Sequence, residues 1–103
     1  MEEITPEGLF KLRGQQPDLW IIDVREEEEF EDFNIGGQLI PLSEFSLKMN
    51  EIPANRPIVF VCKRGIRSSI AIQRLQQYAS FPLLINLKGG LEAWKKNYPP
   101  EPK

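Results

Sequence analysis

One cysteine and the cations beside it are the part of this sequence best suited to chemistry. Cys62 is the only cysteine, and the five residues after it include three cations and a glycine, namely Lys63, Arg64, Gly65 and Arg67. Positive charge favours the thiolate, which is the nucleophilic form of cysteine, and glycine permits the positive φ that a tight loop needs. We therefore predict a cysteine nucleophile that works without a histidine base.

A buried structural cysteine is the alternative interpretation of Cys62. Free cysteine is among the residue types most often found in protein cores, where it acts as a small apolar side chain. An inert cysteine does not require three cations and a glycine in the next five residues, so the surroundings favour the nucleophile. The sequence alone leaves both interpretations open.

The residue types that are missing limit the other chemistry open to this chain. It has no histidine, which excludes Cys-His and Ser-His catalysis and removes the commonest metal ligand. A single cysteine cannot form an internal disulfide, so we predict neither a disulfide nor a metal, and no other cofactor. Because a lone thiol suits a reducing compartment and no apolar run is long enough to span a membrane, we predict a cytoplasmic protein.

Length and charge describe an ordinary single domain. The chain has 103 residues, of which 41% are hydrophobic, and its formal net charge is −2. These values predict one globular domain and give no reason to expect a nucleic acid or a membrane as partner. We assign the domain to residues 1–97 and an extended or disordered proline-rich tail to residues 98–103.

Alternating strands and helices would position Cys62. Apolar runs predict strands within residues 19–24, 38–41, 57–61 and 83–85. Helix signals fall before, between and after them, at residues 5–13, 26–30, 43–49, 68–78 and 91–96. This alternation predicts an α/β fold of three layers, with a central parallel sheet of about five strands and helices on both faces.

Capping residues set the predicted ends of two helices. Thr5 is the predicted N-cap of the first helix, which should end at about Arg13 because Gly14 follows as a stop signal. Ser68 is the predicted N-cap of the helix after Cys62. The glutamates within residues 26–30 are assigned to a solvated helix start, where acidic side chains suit the positive end of the helix dipole, and not to acid–base chemistry.

Cys62 directly follows the predicted strand at residues 57–61 and precedes the next helix. Ligands of parallel α/β sheets bind at the carboxyl ends of the strands. A helix N-terminus and inward-turned backbone N–H groups at this junction would add positive potential around the sulfur. We therefore predict a shallow pocket at this edge of the sheet, with Cys62 at its floor.

Four motifs in order resemble the rhodanese family. The segment 62–68 is similar to the family's active-site loop, Cys-x-x-Gly-x-x-Ser. Residues 22–25 read Ile-Asp-Val-Arg, like the family's Asp-Val-Arg motif, and residues 26–30 match the Glu-x-x-Glu-Phe that usually follows it. Residues 35–42 and 87–94 are similar to the Ile-x-Gly-Ala-x-x-Ile-Pro-Leu and Gly-Gly-x-x-x-Trp motifs. Phe33-Asn34 replaces the common Gly-His, and Gly37 replaces the alanine. This variant resembles the rhodanese domain of molybdopterin-synthase adenylyltransferase/sulfurtransferase proteins.

The resemblance implies a sulfurtransferase. Cys62 would take sulfane sulfur from a small anionic donor such as thiosulfate and carry it as a persulfide, and a thiol protein or a ubiquitin-like carrier would be a possible acceptor. Arg64 and Arg67 would attract the donor, and Asp23 and Arg25 would form a buried polar network that supports the strand end. The expected binding loop consists of Lys63, Arg64, Gly65, Ile66, Arg67 and Ser68.

Three other functions remain open. A rhodanese-like domain can act as a non-catalytic interaction module. A small cysteine phosphatase would resemble Cys-x5-Arg, whereas only four residues separate Cys62 from Arg67, which makes a tighter cradle. A redox-sensing thiol would need a partner thiol from another molecule, because the chain has no second cysteine.

Overall fold

Apolar strands form the centre of a parallel sheet in the computed structural model, which describes residues 1–99. The sheet has five strands in the order β1-β5-β4-β2-β3. In chain order they are β1 (Glu3–Ile4), β2 (Trp20–Asp23), β3 (Gln38–Leu39), β4 (Ile58–Val61) and β5 (Leu84–Leu87). The helices are α1 (Pro6–Gln15), α2 (Glu27–Asp32), α3 (Phe45–Lys48), α4 (Ile66–Tyr78) and α5 (Gly90–Asn97). Short 3-10 turns at Leu42–Glu44 and Met49–Glu51 flank α3.

Helices cover both faces of this sheet, and all four residues of β4 are therefore buried. Successive side chains of a strand point to opposite faces. Phe60 and Cys62 therefore belong to a core cluster shared with α3 and α4, while Val59 and Val61 belong to a second cluster shared with α1 and α5. The predicted three-layer α/β fold, with a parallel sheet of about five strands, is confirmed.

The carboxyl end of β4 lies between two neighbouring strands. Asp23 at the end of β2 pairs with Val61, and Asn86 on β5 pairs with Phe60. The residues that follow β4 therefore emerge beside the polar side chains Asp23 and Asn86. This register determines which groups surround Cys62.

Two predicted helix boundaries are wrong. Helix α1 continues through Gly14 to Gln15. Gly14 does not adopt the positive φ by which a glycine ends a helix. The C-cap of α1 is Gln16, which precedes a proline and leaves the helical conformation with φ −129° and ψ 82°. Ser68 is not an N-cap, because Gly65 holds that position with a φ of 93° and α4 begins at Ile66.

The edge strand β1 was not predicted. Its two residues carry no apolar run, and they pair with β5 at the register Glu3 with Asn86. The predicted tail at residues 98–103 lies partly outside the described residues, which end at Pro99. Tyr98 stacks on Phe10 with ring centroids 4.6 Å apart and packs against the second core cluster. Within residues 1–99, no helix is both long enough and apolar enough to cross a bilayer.

Candidate active site

The loop after β4 is held by the helix that closes the chain. Backbone N–H groups of Leu91 and Glu92, in the first turn of α5, donate to the carbonyl oxygens of Cys62 and Lys63 at 2.8 and 2.9 Å. A Cβ atom at Gly90 would collide with the backbone of Lys63, so glycine is needed there for this close approach. Gly90 therefore allows α5 to come close enough to hold the loop that follows Cys62 by these hydrogen bonds.

Gly65 turns the loop back over the sulfur. Its φ of 93° lies in the left-handed region, which only glycine adopts without strain. The turn directs the N–H of Gly65 to Cys62 Sγ at 3.1 Å, and the N–H of Ser68 reaches the same sulfur at 3.4 Å. Two backbone donors thus converge on the cysteine sulfur, where they can stabilise negative charge.

Cys62 is also part of a buried polar contact chain. The residue is 1% exposed, and its Sγ lies 3.3 Å from the hydroxyl oxygen of Ser68, which is fully buried. Ser68 in turn donates to Asn86 Oδ1 at 2.5 Å. The sulfur is therefore enclosed by polar partners on the protein side.

A pocket of about 350 Å³ opens over the loop. Its lining consists of Cys62, Lys63, Arg64, Ile66 and Arg67. This places Cys62 and four of the six predicted loop residues around one pocket, and Ile66 at the rim is 66% exposed. Gly65 and Ser68 act through their backbone and buried contacts instead. The volume lies near the lower end of the usual range for small-molecule sites.

Arg67 forms an ion pair with Glu29, a partner that the sequence did not predict. Its guanidinium donates two hydrogen bonds to the carboxylate of Glu29, at 2.7 and 2.8 Å. The hydrogen bond from Arg67 holds the pKa of Glu29 at about 2, below its ordinary 4.5, and the same contact raises the pKa of Arg67. That Arg67 attracts an anionic donor stays a prediction, and the ion pair with Glu29 reduces the positive charge that Arg67 offers to the pocket.

The other two loop cations differ from each other. Arg64 Nε lies 3.1 Å from the carboxylate of Glu92, and this exposed hydrogen bond lowers the pKa of Glu92. Lys63 makes no ion pair within residues 1–99. Lys63 is therefore the loop cation with the most positive charge to offer an anion in the pocket.

A buried ion pair supports the strand beside the site. Arg25 Nε and Nη2 donate to the two carboxylate oxygens of Asp23 at 3.0 and 2.8 Å, with both side chains buried. Arg25 also donates to the carbonyl oxygens of Glu29 and Phe33, at 3.2 and 2.6 Å. This is the geometry expected of a supporting polar network, and it ties α2 and its Glu29 to the end of β2.

Two residues that contact the site were not predicted from the sequence to do so. Glu29 was assigned to a solvated helix start, which describes its hydrogen bond from the N–H of Glu26 but not its contact with Arg67. Asn86 was not singled out, although a polar amide within an apolar strand run was a usable signal. Among residues 1–99, no group of three or more His, Cys, Asp and Glu side chains is arranged to hold a metal ion.

Comparison with known proteins agrees with this geometry. A family profile described as Rhodanese-like domain matches residues 5–97. The chain belongs to the rhodanese family. A crystal structure of a rhodanese-like domain protein from Staphylococcus aureus aligns with a TM-score of 0.82 at 27% identity, covering 91% of each chain. The α/β architecture described above is therefore the rhodanese fold.

Relatives of this rhodanese-like domain include sulfurtransferases. A protein of Allochromatium vinosum named Sulfurtransferase is 31% identical over 98 residues, covering 94% of this chain and 91% of that protein. MoeZ of Mycobacterium tuberculosis, named a probable adenylyltransferase/sulfurtransferase, is 35% identical over 101 residues. The predicted resemblance to the rhodanese domain of such adenylyltransferase/sulfurtransferase proteins is confirmed.

The rhodanese-like domain takes up different shares of these relatives. Its match covers 95% of this chain but 26% of MoeZ. Bacillus subtilis YqhL, described as an uncharacterized protein, is 40% identical over 75 residues, which are 72% of this chain and 59% of YqhL. The chain thus spans nearly all of the Allochromatium vinosum sulfurtransferase, about three fifths of YqhL and about a quarter of MoeZ.

Proposed function

We propose that Cys62 carries sulfane sulfur as a persulfide between a small anionic donor and a thiophilic acceptor. The observation that carries this proposal is the convergence of two backbone N–H groups, from Gly65 and Ser68, on the Cys62 sulfur beneath an open cationic pocket. Such donors stabilise a thiolate without a histidine, of which the chain has none. Membership of a family that includes sulfurtransferases supports the same chemistry.

Loading is a displacement at sulfur. With thiosulfate as donor, the Cys62 thiolate attacks the outer sulfane sulfur and forms a new S–S bond. The S–S bond to the sulfonate group breaks, and its electron pair leaves with sulfite. One thiolate and one thiosulfate dianion thus give one persulfide anion and one sulfite dianion, so atoms and charge balance without an added oxidant or reductant.

The pocket charge favours an anionic donor. Lys63 has no carboxylate partner within residues 1–99, whereas Arg64 and Arg67 each have one. The donor therefore meets one ammonium group that makes no ion pair in the described part of the chain, near two guanidinium groups that are each paired with a carboxylate. Backbone N–H groups of the loop then face the charge that develops on sulfur, which is the arrangement that stabilises anionic transition states.

Discharge needs a second nucleophile, which attacks the outer sulfur of the persulfide. Cyanide takes this sulfur as thiocyanate and returns the Cys62 thiolate, and a protein thiol takes it as a new persulfide. We include a protein acceptor in the proposal because the apolar side chain of Ile66, at the rim of the pocket, is 66% exposed. The surface of another protein can cover this side chain. The similarity to MoeZ, which is named a probable adenylyltransferase/sulfurtransferase, supports sulfur transfer as the reaction.

Thiocyanate formation from thiosulfate and cyanide tests the proposed reaction. The wild-type protein should turn over, and Cys62→Ser should show only the uncatalysed rate while keeping the wild-type unfolding transition. Turnover by Cys62→Ser at the wild-type rate would overturn the role of Cys62. Hydrolysis of p-nitrophenyl phosphate without thiocyanate formation would point to the phosphatase, and absence of both activities to an interaction module.

A further inference from the structure

The buried side chain of Asn86 connects two parts of the site. Asn86 lies on β5, is 3% exposed and points to the face of the sheet that α4 covers. Its Nδ2 donates to the carbonyl oxygen of Gly65 at 3.0 Å, while its Oδ1 accepts from the hydroxyl of Ser68 at 2.5 Å. Since Ser68 Oγ lies 3.3 Å from Cys62 Sγ, a continuous polar chain leads from Asn86 to the thiol.

Only one arrangement of hydrogens satisfies this chain when Cys62 is protonated. The carbonyl of Gly65 can only accept, which fixes the Asn86 amide with Nδ2 towards the loop and Oδ1 towards Ser68. The single hydroxyl hydrogen of Ser68 then goes to Oδ1. The remaining contact between Cys62 and Ser68 is made by the thiol hydrogen, which points to the hydroxyl oxygen.

Loss of the thiol proton creates a competition. The Cys62 thiolate and Asn86 Oδ1 then both face the one hydroxyl hydrogen of Ser68. In a persulfide the negative charge lies on the outer sulfur, and the inner sulfur has two covalent bonds and is a weak acceptor. The competition therefore exists in the empty thiolate state and disappears once sulfur has been loaded.

We propose that Asn86 is a positioning residue that withholds the Ser68 hydroxyl from the Cys62 thiolate and so favours the sulfur-loaded state over the empty one. This inference rests on the proposed persulfide function. A thiolate with fewer hydrogen bonds is less stabilised, so it is the better nucleophile and gains more by becoming a persulfide. The short hydrogen bond from Ser68 to Asn86, at 2.5 Å, is what makes Asn86 an effective competitor.

Replacement of Asn86 by leucine leaves the charged groups around the thiol unchanged. On the elements packed around Cys62 they are Lys63, Arg64, Arg67, Asp23, Arg25, Glu29 and Glu92. None of them is hydrogen-bonded to Asn86, whose side-chain partners are Ser68 and Gly65. A change in the pH response of the thiol on substitution of Asn86 therefore reports the redirected hydroxyl.

The rate of Cys62 alkylation by iodoacetamide, measured against pH, tests the competition. Asn86→Leu removes the acceptor at similar volume, so the Ser68 hydroxyl turns to the thiolate and the midpoint of the profile should fall by about one pH unit. The same substitution in a Ser68→Ala background should leave the midpoint unchanged, because no hydroxyl is left to redirect. An unchanged midpoint in the wild-type background, or an equal shift in both backgrounds, would overturn the inference.

A second variant guards against loss of the fold. Asn86→Leu also removes the donor to the carbonyl of Gly65, so its unfolding transition must be recorded. Asn86→Asp keeps an acceptor for the Ser68 hydroxyl, so its midpoint should stay at or above that of the wild type. If Asn86→Leu does not fold, a fall of the midpoint in Asn86→Asp overturns the inference.

Sulfur loading separates this inference from the proposed function. Alkylation needs no sulfur donor, so the midpoints are measurable whether or not Cys62 carries sulfur. Failure of the wild type to take up sulfur from thiosulfate would sink the proposed function and leave the hydroxyl competition to be judged by the midpoints. If the wild type does load, Asn86→Leu should lower the ratio of persulfide to unloaded Cys62 about tenfold at fixed thiosulfate and sulfite, measured at a pH above the alkylation midpoints of both proteins. An unchanged ratio would overturn the claim that Asn86 favours the loaded state.

Discussion

The ion pair between Glu29 and Arg67 sets the charge of the pocket, and Glu29→Gln is the substitution that tests it. Arg67 lines the pocket but donates two hydrogen bonds to Glu29, so its charge is largely neutralised. Glutamine cannot supply a negative charge, and Arg67 would then face the pocket as a full cation. One additional charge acting on a thiosulfate dianion through screening solvent is worth about 1 kcal/mol, which predicts a Michaelis constant for thiosulfate about fivefold lower.

The same substitution has a calculable effect on stability. A pKa lowered from 4.5 to about 2 in Glu29 corresponds to about 3 kcal/mol at full strength. The side chains of Arg67 and Glu29 are 31% and 34% exposed, however. Solvent screening reduces the expected loss on Glu29→Gln to about 1 kcal/mol. Because the folded-state pKa is depressed, the ion pair stabilises fully above pH 4.5 and its contribution is lost as the pH falls towards 2.

Steady-state kinetics of thiocyanate formation and urea unfolding at several pH values measure both effects. Glu28→Gln is the matched control, because Glu28 is an exposed glutamate of α2 and changes the net charge equally. Arg67→Ala should act in the opposite direction, since it leaves the carboxylate of Glu29 at the pocket and raises the Michaelis constant. A Michaelis constant that is unchanged or raised in Glu29→Gln would refute the reasoning.

Three further predictions concern the loop and its support. Gly65→Ala should lower the free energy of unfolding by about 1–2 kcal/mol, because the φ of 93° is strained for alanine. Gly14→Ala in α1 is the control and should not lower it. Urea unfolding measures both variants, and equal losses of stability would contradict strain at Gly65. Arg25→Ala should cost about 3–5 kcal/mol by the same measurement, because it leaves the buried Asp23 carboxylate without its partner, and a loss below 1 kcal/mol would speak against a supporting role. Lys63→Ala should raise the Michaelis constant for thiosulfate about threefold to fivefold. Replacement of the exposed Lys11 on α1 by alanine is the control and should leave this constant unchanged. The same Michaelis constant in both variants would exclude Lys63 as the cation that attracts the donor.

The sequence predicted the position of Cys62 because that prediction depends on local order. A buried strand, a cysteine and a glycine-containing loop follow one another within ten residues, and the parallel sheet follows from the alternation of elements. The wrong N-cap has a local cause too. Serine is a common N-cap, but here Gly65 turns the chain three residues earlier and leaves Ser68 buried in the first helical turn.

The partners of the loop were harder to predict because they are distant in the chain. Glu29 and Arg67 are separated by 38 residues, and Ser68 and Asn86 by 18. A pattern of helix signals describes Glu29 adequately as a first-turn acid, and nothing in that pattern specifies which cation it meets. Asn86 becomes meaningful only when the register beside β4 brings it next to the loop.

The capacity of Cys62 to hold sulfur is tested most directly by intact-protein mass spectrometry after incubation with thiosulfate. We expect the wild-type protein to gain the mass of one sulfur atom, to lose it on treatment with a reductant, and Cys62→Ser to gain nothing. No mass gain in a folded wild-type protein whose thiol is still alkylated would contradict sulfur transfer from this donor. A reversible gain of one sulfur in the Cys62→Ser variant would contradict the assignment of Cys62 as the carrier.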